Sequence, residues 1–217
     1  MADVPYADWF AYALRFFPKG KDYRIAELCS GPGRMAGLAR AAGFYTVCLD
    51  FSLATLSAAE GERVCGDVRR LPFTDGAFGT LLAVNGSVNY LPDTDALERY
   101  FSECRRVLSA AGSLIMDFCP LSRAAELHGR SFQALHGRIN FAHRFNAQDA
   151  ELVSLVTIKS DGQTSLHELH RQRIFSWRQI KAAAEAAGFD TCARDENFNM
   201  PYTGLSPMVS CVFVRRT

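Results

Sequence analysis

The stretch that most constrains this chain runs from Tyr23 to Ala39. Tyr23-Arg24-Ile25-Ala26 leads as an apolar strand into the acidic Glu27. Leu28-Cys29-Ser30-Gly31-Pro32-Gly33 is a short glycine turn, and Met35-Ala36-Gly37-Leu38-Ala39 opens a helix. A strand that turns through glycines directly into a helix leaves the free N–H groups of that helix facing the turn. Gly31 and Gly33 are expected to turn the backbone sharply and to leave room for a ligand where a Cβ would clash. The unit predicts a nucleotide site, and with it an α/β fold whose ligands lie at the C-terminal ends of parallel strands.

Two carboxylates extend the site. Tyr45-Thr46-Val47-Cys48-Leu49 is a second short strand, and Asp50 at its end is the expected acceptor for both hydroxyls of a ribose. Arg63-Val64-Cys65 runs into Gly66-Asp67-Val68, which places Asp67 where it would accept from the exocyclic amine of an adenine. The loop alone leaves the nucleotide open. Gly31-Pro32-Gly33-Arg34-Met35-Ala36 also satisfies the dinucleotide pattern G-x-G-x-x-A, and Asp50 follows at roughly the 20-residue distance of an NAD-binding carboxylate.

Periodicity predicts a helical, aromatic segment over 5–17, strands near 24–28, 45–49, 62–66, 79–84 and 112–119, and helices near 33–42, 52–59 and 94–108. Such alternation implies a parallel sheet covered on both faces. Leu97, Phe101, Cys104 and Leu108 form the stripe that buries the last of these helices. Beyond Pro120 the alternation stops. Residues 128–138 read as irregular, and Ile139–Phe145, Glu151–Lys159 and Ser165–Ile174 read as extended, with the turn Ser160-Asp161-Gly162-Gln163 joining the last two. Ser176-Trp177-Arg178-Gln179 has the capping-box form, and Gly188 supplies a left-handed stop. Strands near 189–196 and 208–215 follow. Their short connection requires an antiparallel hairpin, which is foreign to the NAD-binding fold.

Glu27-x-x-x-Gly31-x-Gly33, Leu49-Asp50-Phe51-Ser52, Gly66-Asp67-x-x-x-Leu71-Pro72-Phe73 and Asn85-Gly86-Ser87-Val88-Asn89-Tyr90-Leu91 together resemble the class I S-adenosylmethionine-dependent methyltransferases, as does the segment His170–Ser176 before a helix closing in Ala187-Gly188-Phe189. One position departs from the family pattern. Cys29 stands where the first glycine of the turn is usual.

The resemblance implies a Rossmann-like, seven-stranded, mostly parallel sheet with an antiparallel last strand. It implies one domain over 1–217, with an inserted antiparallel substrate lid over 120–175. It implies S-adenosyl-L-methionine as cofactor, held by Tyr12, Glu27, Cys29, Gly31, Gly33, Asp50, Phe51, Asp67, Val68 and Asn85. Tyr6, Tyr90 and His143 are the candidate catalytic groups. The loop Asn85–Leu91 should lie beside the cofactor and the acceptor, and in similar enzymes an N-terminal helix closes over the cofactor with a tyrosine, for which Tyr6 and Tyr12 qualify. The implied activity is methyl transfer to a small molecule, with nitrogen favoured over oxygen. RNA or protein methylation and a non-catalytic cofactor-binding subunit are the alternatives, and a homodimer is left open.

Composition narrows the alternatives. A 217-residue chain with 48% hydrophobic and 22% charged residues fits one domain with a full core. The net charge of +1, with arginines in scattered pairs, argues against a nucleic-acid partner. The seven cysteines show no C-x-x-C spacing, so neither a metal nor a disulfide framework is expected, and a cytoplasmic setting suits them. The Met1-Ala2-Asp3-Val4-Pro5 start has no basic or apolar leader pattern, and no apolar run is long enough to span a membrane. His167 and His170, three apart on a strand, should face opposite sides, which disfavours a metal site. His128 and His136 fall in expected loops.

Overall fold

Parallel strands that are apolar throughout must be covered on both faces. In the computed structural model, which describes residues 5–20, 23–135, 138–159, 165–196, 198–204 and 206–216, β1 (Arg24–Leu28), β2 (Tyr45–Asp50), β3 (Glu62–Cys65), β4 (Phe78–Ala83) and β5 (Leu108–Phe118) run parallel. Every residue of β4, and of β1 after Arg24, is buried. On one face α1 (Tyr6–Ala13) and α2 (Arg34–Ala41) pack Phe10, Met35 and Ala39 with Ile25, Leu82 and Ile115. On the other, α4 (Thr94–Val107) and α6 (Trp177–Ala186) pack Leu97, Phe101, Cys104, Ile180 and Ala184 with Leu81, Leu114 and Met116.

The sheet is completed by β10 (Phe189–Arg194) and β11 (Val209–Arg215), giving the order β10-β11-β5-β4-β1-β2-β3. β11 is antiparallel to both β5 and β10. The chain progresses from β1 outward through β2 and β3 to one edge, then returns to β4 and β5 on the other side of β1. That reversal opens a crevice at the C-terminal ends of β1 and β4, where ligands bind in folds of this kind.

Local chemistry sets the helix ends. Asp93 caps α4 by accepting from Ala96 N at 2.8 Å, and Arg105 and Arg106 sit in its last turn, where the helix dipole favours cations. Ser176 and Gln179 form the expected capping box on α6, and Gly188 follows with φ +92°. The helix expected over 52–59 shrinks to a single turn, α3 (Leu53–Leu56), capped by Ser52.

Between β5 and α6 the chain builds a second unit: α5 (Leu121–Leu127), then an antiparallel sheet of β6 (Ser131–Ala134), β7 (Ile139–Asn146), β8 (Glu151–Ile158) and β9 (Leu166–Arg173) in that order. β7, β8 and β9 coincide with the three extended stretches read from the sequence. The expectation that 128–138 is irregular is corrected by β6. Its four residues carry little hydrophobic signal because three of them are exposed, and it is a strand through ladder pairing with β7 alone. His136, the turn Ser160-Asp161-Gly162-Gln163 and residues Met1–Val4 lie outside the described residues. Among the described residues no helix is long and apolar enough to cross a membrane.

Candidate active site

A cavity of about 770 Å³ opens at the crevice between β1 and β4. Its floor is the end of β1. The Glu27 carboxylate, only 2% exposed, accepts from Ala36 N at 2.7 Å and from Met35 N, and so caps α2 across the glycine turn. Burial dominates these bonds and pushes its pKa up to about 7. Cys29 follows with φ +50°, a left-handed angle that costs a residue with a Cβ about 1–2 kcal/mol. Cys29 lines the cavity, where desolvation by the surrounding protein and then the charge of Asp50 raise its thiol pKa to about 12.

The two glycines do different work. Gly31 has φ +51° and lines the cavity, and a Cβ there would meet nothing within 4 Å, so the turn presents bare backbone to a ligand. Gly33 does not line the cavity. A Cβ at Gly33 would come within 2.8 Å of Cys48 Sγ and 3.1 Å of Ala59 Cβ, so this glycine lets α2 approach β2.

Asp50 ends β2 with its carboxylate fixed by backbone. Oδ2 accepts from Gly31 N at 2.7 Å and Oδ1 from Ser52 N at 2.8 Å. Beside it the Phe51 ring is 77% exposed and lines the cavity together with Val68. Asp67 also lines it, but both carboxylate oxygens are engaged by Arg69, with Nη2 to Oδ2 at 2.6 Å and Nε to Oδ1 at 3.0 Å. That fork holds the Asp67 carboxyl below its usual pKa.

The loop after β4 begins with two consecutive left-handed residues, Asn85 (φ +62°) and Gly86 (φ +63°). Asp117, near the end of β5, holds this turn by accepting from Gly86 N at 2.6 Å and from Asn85 N. Its burial raises its pKa to about 6. The Asn85 amide donates to the phenol oxygen of Tyr6 at 2.9 Å, which brings α1 over the cavity. Tyr12 is not there. Six residues along a helix turn the side chain through about 240°, and Tyr12 packs instead with the aromatic cluster of the N-terminal segment, under the Arg15 guanidinium.

Asn89 is fully buried. Its Oδ1 accepts from Cys119 N at 2.8 Å and its Nδ2 donates to Arg173 O at 2.8 Å, so it clasps the loop to the exits of β5 and β9. The next residue, Tyr90, reaches the cavity and meets His170 of β9, with OH to Nδ1 at 2.9 Å. His170 Nε2 faces Glu168 Oε2 at 3.3 Å. His143 does not line the cavity. It lies on β7, in register with Ser154 of β8 and through it with His170, two strand spacings or about 10 Å from β9. There it bonds Ser154 Oγ at 2.8 Å beside the Phe132 and Phe141 rings, and burial lowers its pKa. His167 bonds Thr157 on the opposite face from His170.

The structure thus gathers Tyr6, Glu27, Cys29, Gly31, Asp50, Phe51, Asp67, Val68, Asn85 and Tyr90 around one cavity and leaves out Tyr12, Gly33 and His143. It adds Arg69, Ser87 and His170. His170 was legible only as one of a pair facing opposite sides, since nothing local says which side meets the loop after β4.

A family described as "Methyltransferase domain" matches residues 26–116. A 107-residue stretch is 31% identical to an uncharacterized protein of Methanocaldococcus jannaschii, covering 48% of this chain and less than half, 44%, of that protein. Over 205 residues the chain is 25% identical to YqeM of Bacillus subtilis, whose assigned name is that of a methyltransferase, covering 87% of this chain and 81% of that one. An S-adenosylmethionine-dependent methyltransferase from Clostridium acetobutylicum superposes with a TM-score of 0.86 at 17% identity, covering 100% of this chain and 94% of that structure. The sugar N-methyltransferase KedS8 from a Streptoalloteichus species superposes with a TM-score of 0.78 at 17% identity, covering 99% and 89%. At these identities the structural likeness is one of fold.

Proposed function

We propose, from the premise that residues 26–116 form a methyltransferase domain of the class I, S-adenosylmethionine-dependent family, that this chain methylates a small-molecule acceptor, at nitrogen in preference to oxygen. The observation that carries the reading is the form of the cavity. Backbone-fixed polar groups line one side of it, and Tyr90 and His170, at the seam between the sheet and the inserted unit, line the other. About 770 Å³ suits a nucleoside and a small partner, within the range of ordinary ligand sites. The preference for nitrogen rests on likeness to a fold neighbour named as a sugar N-methyltransferase.

The residues fit the cofactor. Asp50 Oδ1 already accepts from Ser52 N and Thr55 Oγ1, whereas Oδ2 accepts from Gly31 N and retains capacity toward the ribose, while the uncovered Phe51 ring and Val68 would hold the two faces of the adenine. The bare backbone at Gly31 gives the nucleoside its close approach. Asp67 would serve the adenine amine once its fork to Arg69 opens, and an ion pair so exposed is worth about 0–1 kcal/mol. Bound there, S-adenosylmethionine supplies a methyl group already activated on a sulfonium. The chain's own task is then to hold the acceptor in line, exclude water and take up a proton. Tyr6, positioned by Asn85, covers the cavity from α1, and the inserted unit over 120–175 acts as the acceptor lid.

The test is calorimetric titration with S-adenosylhomocysteine and NADH, followed by a methyl-transfer screen over amino sugars, phenols and RNA. Binding of S-adenosylhomocysteine alone, with transfer to an amine, is the expected result. Binding of NADH instead would sink the cofactor assignment, and transfer to RNA alone would sink the small-molecule reading.

A further inference from the structure

We propose that Tyr90, His170 and Glu168 form a proton-accepting chain on the acceptor side of the cavity, in which Tyr90 takes the proton the acceptor sheds while passing its own to His170. The proposal rests on the reading of the cavity as a methyl-transfer site. Its geometry is independent of that reading.

The three groups come from two units of the fold. Tyr90 stands in the 3₁₀ turn after β4, and Glu168 and His170 lie two apart on β9, so their side chains share one face of the inserted sheet. Asn89 fixes the seam. Its bond to Arg173 O ties the turn carrying Tyr90 to β9 three residues beyond His170, and its bond from Cys119 N ties the same turn to the end of β5. The Tyr90 and His170 rings meet edge to face, with centroids 5.9 Å apart.

For the neutral imidazole, the hydrogen-bond pattern selects one arrangement of protons. The Glu168 carboxylate can only accept, so Nε2 of His170 carries the hydrogen at that contact and Nδ1 presents a lone pair. Tyr90 OH then donates to Nδ1 across 2.9 Å. Burial, reinforced by the charge of Glu168, raises the Tyr90 pKa, so the phenol is held protonated as the donor. A protonated phenol is a poor base alone. With an open imidazole nitrogen behind it, its oxygen can form a new O–H bond to the acceptor's proton as its own O–H bond breaks and an N–H bond forms at Nδ1. The positive charge ends on the imidazolium facing Glu168, and the proton leaves to water from the half-buried His170. Tyr90 and His170 touch the acceptor's side of the cavity and are catalytic, whereas Glu168 positions the imidazole. The other candidates are otherwise occupied. The phenol oxygen of Tyr6 accepts from Asn85, and His143 is bonded to Ser154 away from the cavity.

The test uses the full chain with ¹⁵N-labelled histidine and S-adenosylhomocysteine as the probe. Long-range ¹H–¹⁵N correlation spectra read which nitrogen of His170 is protonated. The Nε2–H tautomer is expected in the wild type, with a tautomer mixture in Glu168→Ala. Nδ1–H in the wild type, or a tautomer indifferent to Glu168→Ala, overturns the proposal. Calorimetry on the same sample separates the two readings, since S-adenosylhomocysteine binding with the wrong tautomer sinks the proton chain and leaves the cofactor site standing. With the amino sugar or phenol that turns over in the acceptor screen, Tyr90→Phe and His170→Gln should each lower kcat by ~10²-fold or more, with KM little changed. An unchanged kcat in Tyr90→Phe would also overturn it.

Discussion

The two walls of the cavity are built by different means. On the β1–β2 side, Glu27 and Asp50 sit at strand ends with their carboxylates held by backbone N–H groups of the adjoining turn and helix. On the side of the inserted sheet, the groups facing the cavity are held by side chains, Tyr90 by His170 and His170 by Glu168, and β9 is the edge strand of its sheet. A backbone-held group keeps its place whatever its neighbours become, because the peptide N–H is present in every residue but proline. A group held by side chains is lost or re-aimed by one substitution. Under the proposed function, the first wall would serve the cofactor and the second the acceptor.

Four experiments break or sharpen that contrast. The largest effect belongs to Asp50→Ala, which removes an acceptor whose charge-assisted bonds are worth ~1.5–3 kcal/mol each. S-adenosylhomocysteine affinity should fall by about 10²-fold or more by calorimetry, and a loss below about tenfold would mean that the backbone-held wall does not carry the nucleoside. Next is the clasp between the walls. Asn89→Ala leaves Cys119 N and Arg173 O without their partner, at ~1–3 kcal/mol for each buried orphan. Urea unfolding should show a loss of about 2–6 kcal/mol, and a change indistinguishable from zero would show that the two units are not held through this residue.

A smaller effect is a pH dependence. Glu27 binds its proton more tightly folded (about 7) than unfolded (4.5), so its ionisation disfavours the folded state, and that contribution to stability falls as pH rises from about 4.5 to about 7. Asp117 acts with the same sign between 3.8 and about 6. Asp67 and Glu103, whose values are lowered, change only below their ordinary range, and His143, lowered from 6.5, opposes the trend on the acid side. The clean observable is therefore the stability difference between Glu27→Gln and wild type. It should move in favour of the variant by on the order of 3 kcal/mol across that window and be flat above it. A difference independent of pH would contradict the buried, desolvated carboxylate.

The smallest effect is at Cys29. Replacing it by glycine relieves a left-handed angle, and glycine's greater unfolded-state freedom offsets part of the gain, leaving about 0.5–1 kcal/mol. Thermal unfolding should show a slightly raised Tm with S-adenosylhomocysteine affinity little changed. A lowered Tm would show that the thiol contributes packing that outweighs the strain.

The backbone-held wall was legible in the sequence because its signals are local. Glycines in a strand-to-helix turn and an acidic residue at each strand end state their roles within a few residues. Of the side-chain wall, the strands and the place of Tyr90 in the loop after β4 were legible, but not the partner that Tyr90 meets. That β9 would set His170 rather than His167 against Tyr90 depends on which face of an edge strand turns inward, and that Tyr6 rather than Tyr12 would reach Asn85 depends on how α1 lies over the sheet. Gly33 shows the same limit at short range, because whether a glycine admits a ligand or a neighbouring strand depends on what packs behind it.

What the sequence determined alone was the periodicity and the punctuation. Runs buried on both faces, amphipathic stripes and short connections specify a parallel sheet ended by a hairpin, since each element can bury its apolar face in few ways. What only the tertiary structure decided was the meeting of groups far apart in the chain: Asp117 under the turn at Asn85, Asn89 between β5 and β9, and Tyr90 against His170. Those pairings join residues 30 to 84 positions apart. A one-residue change in strand register would reverse which side chains face the cavity without altering any local pattern.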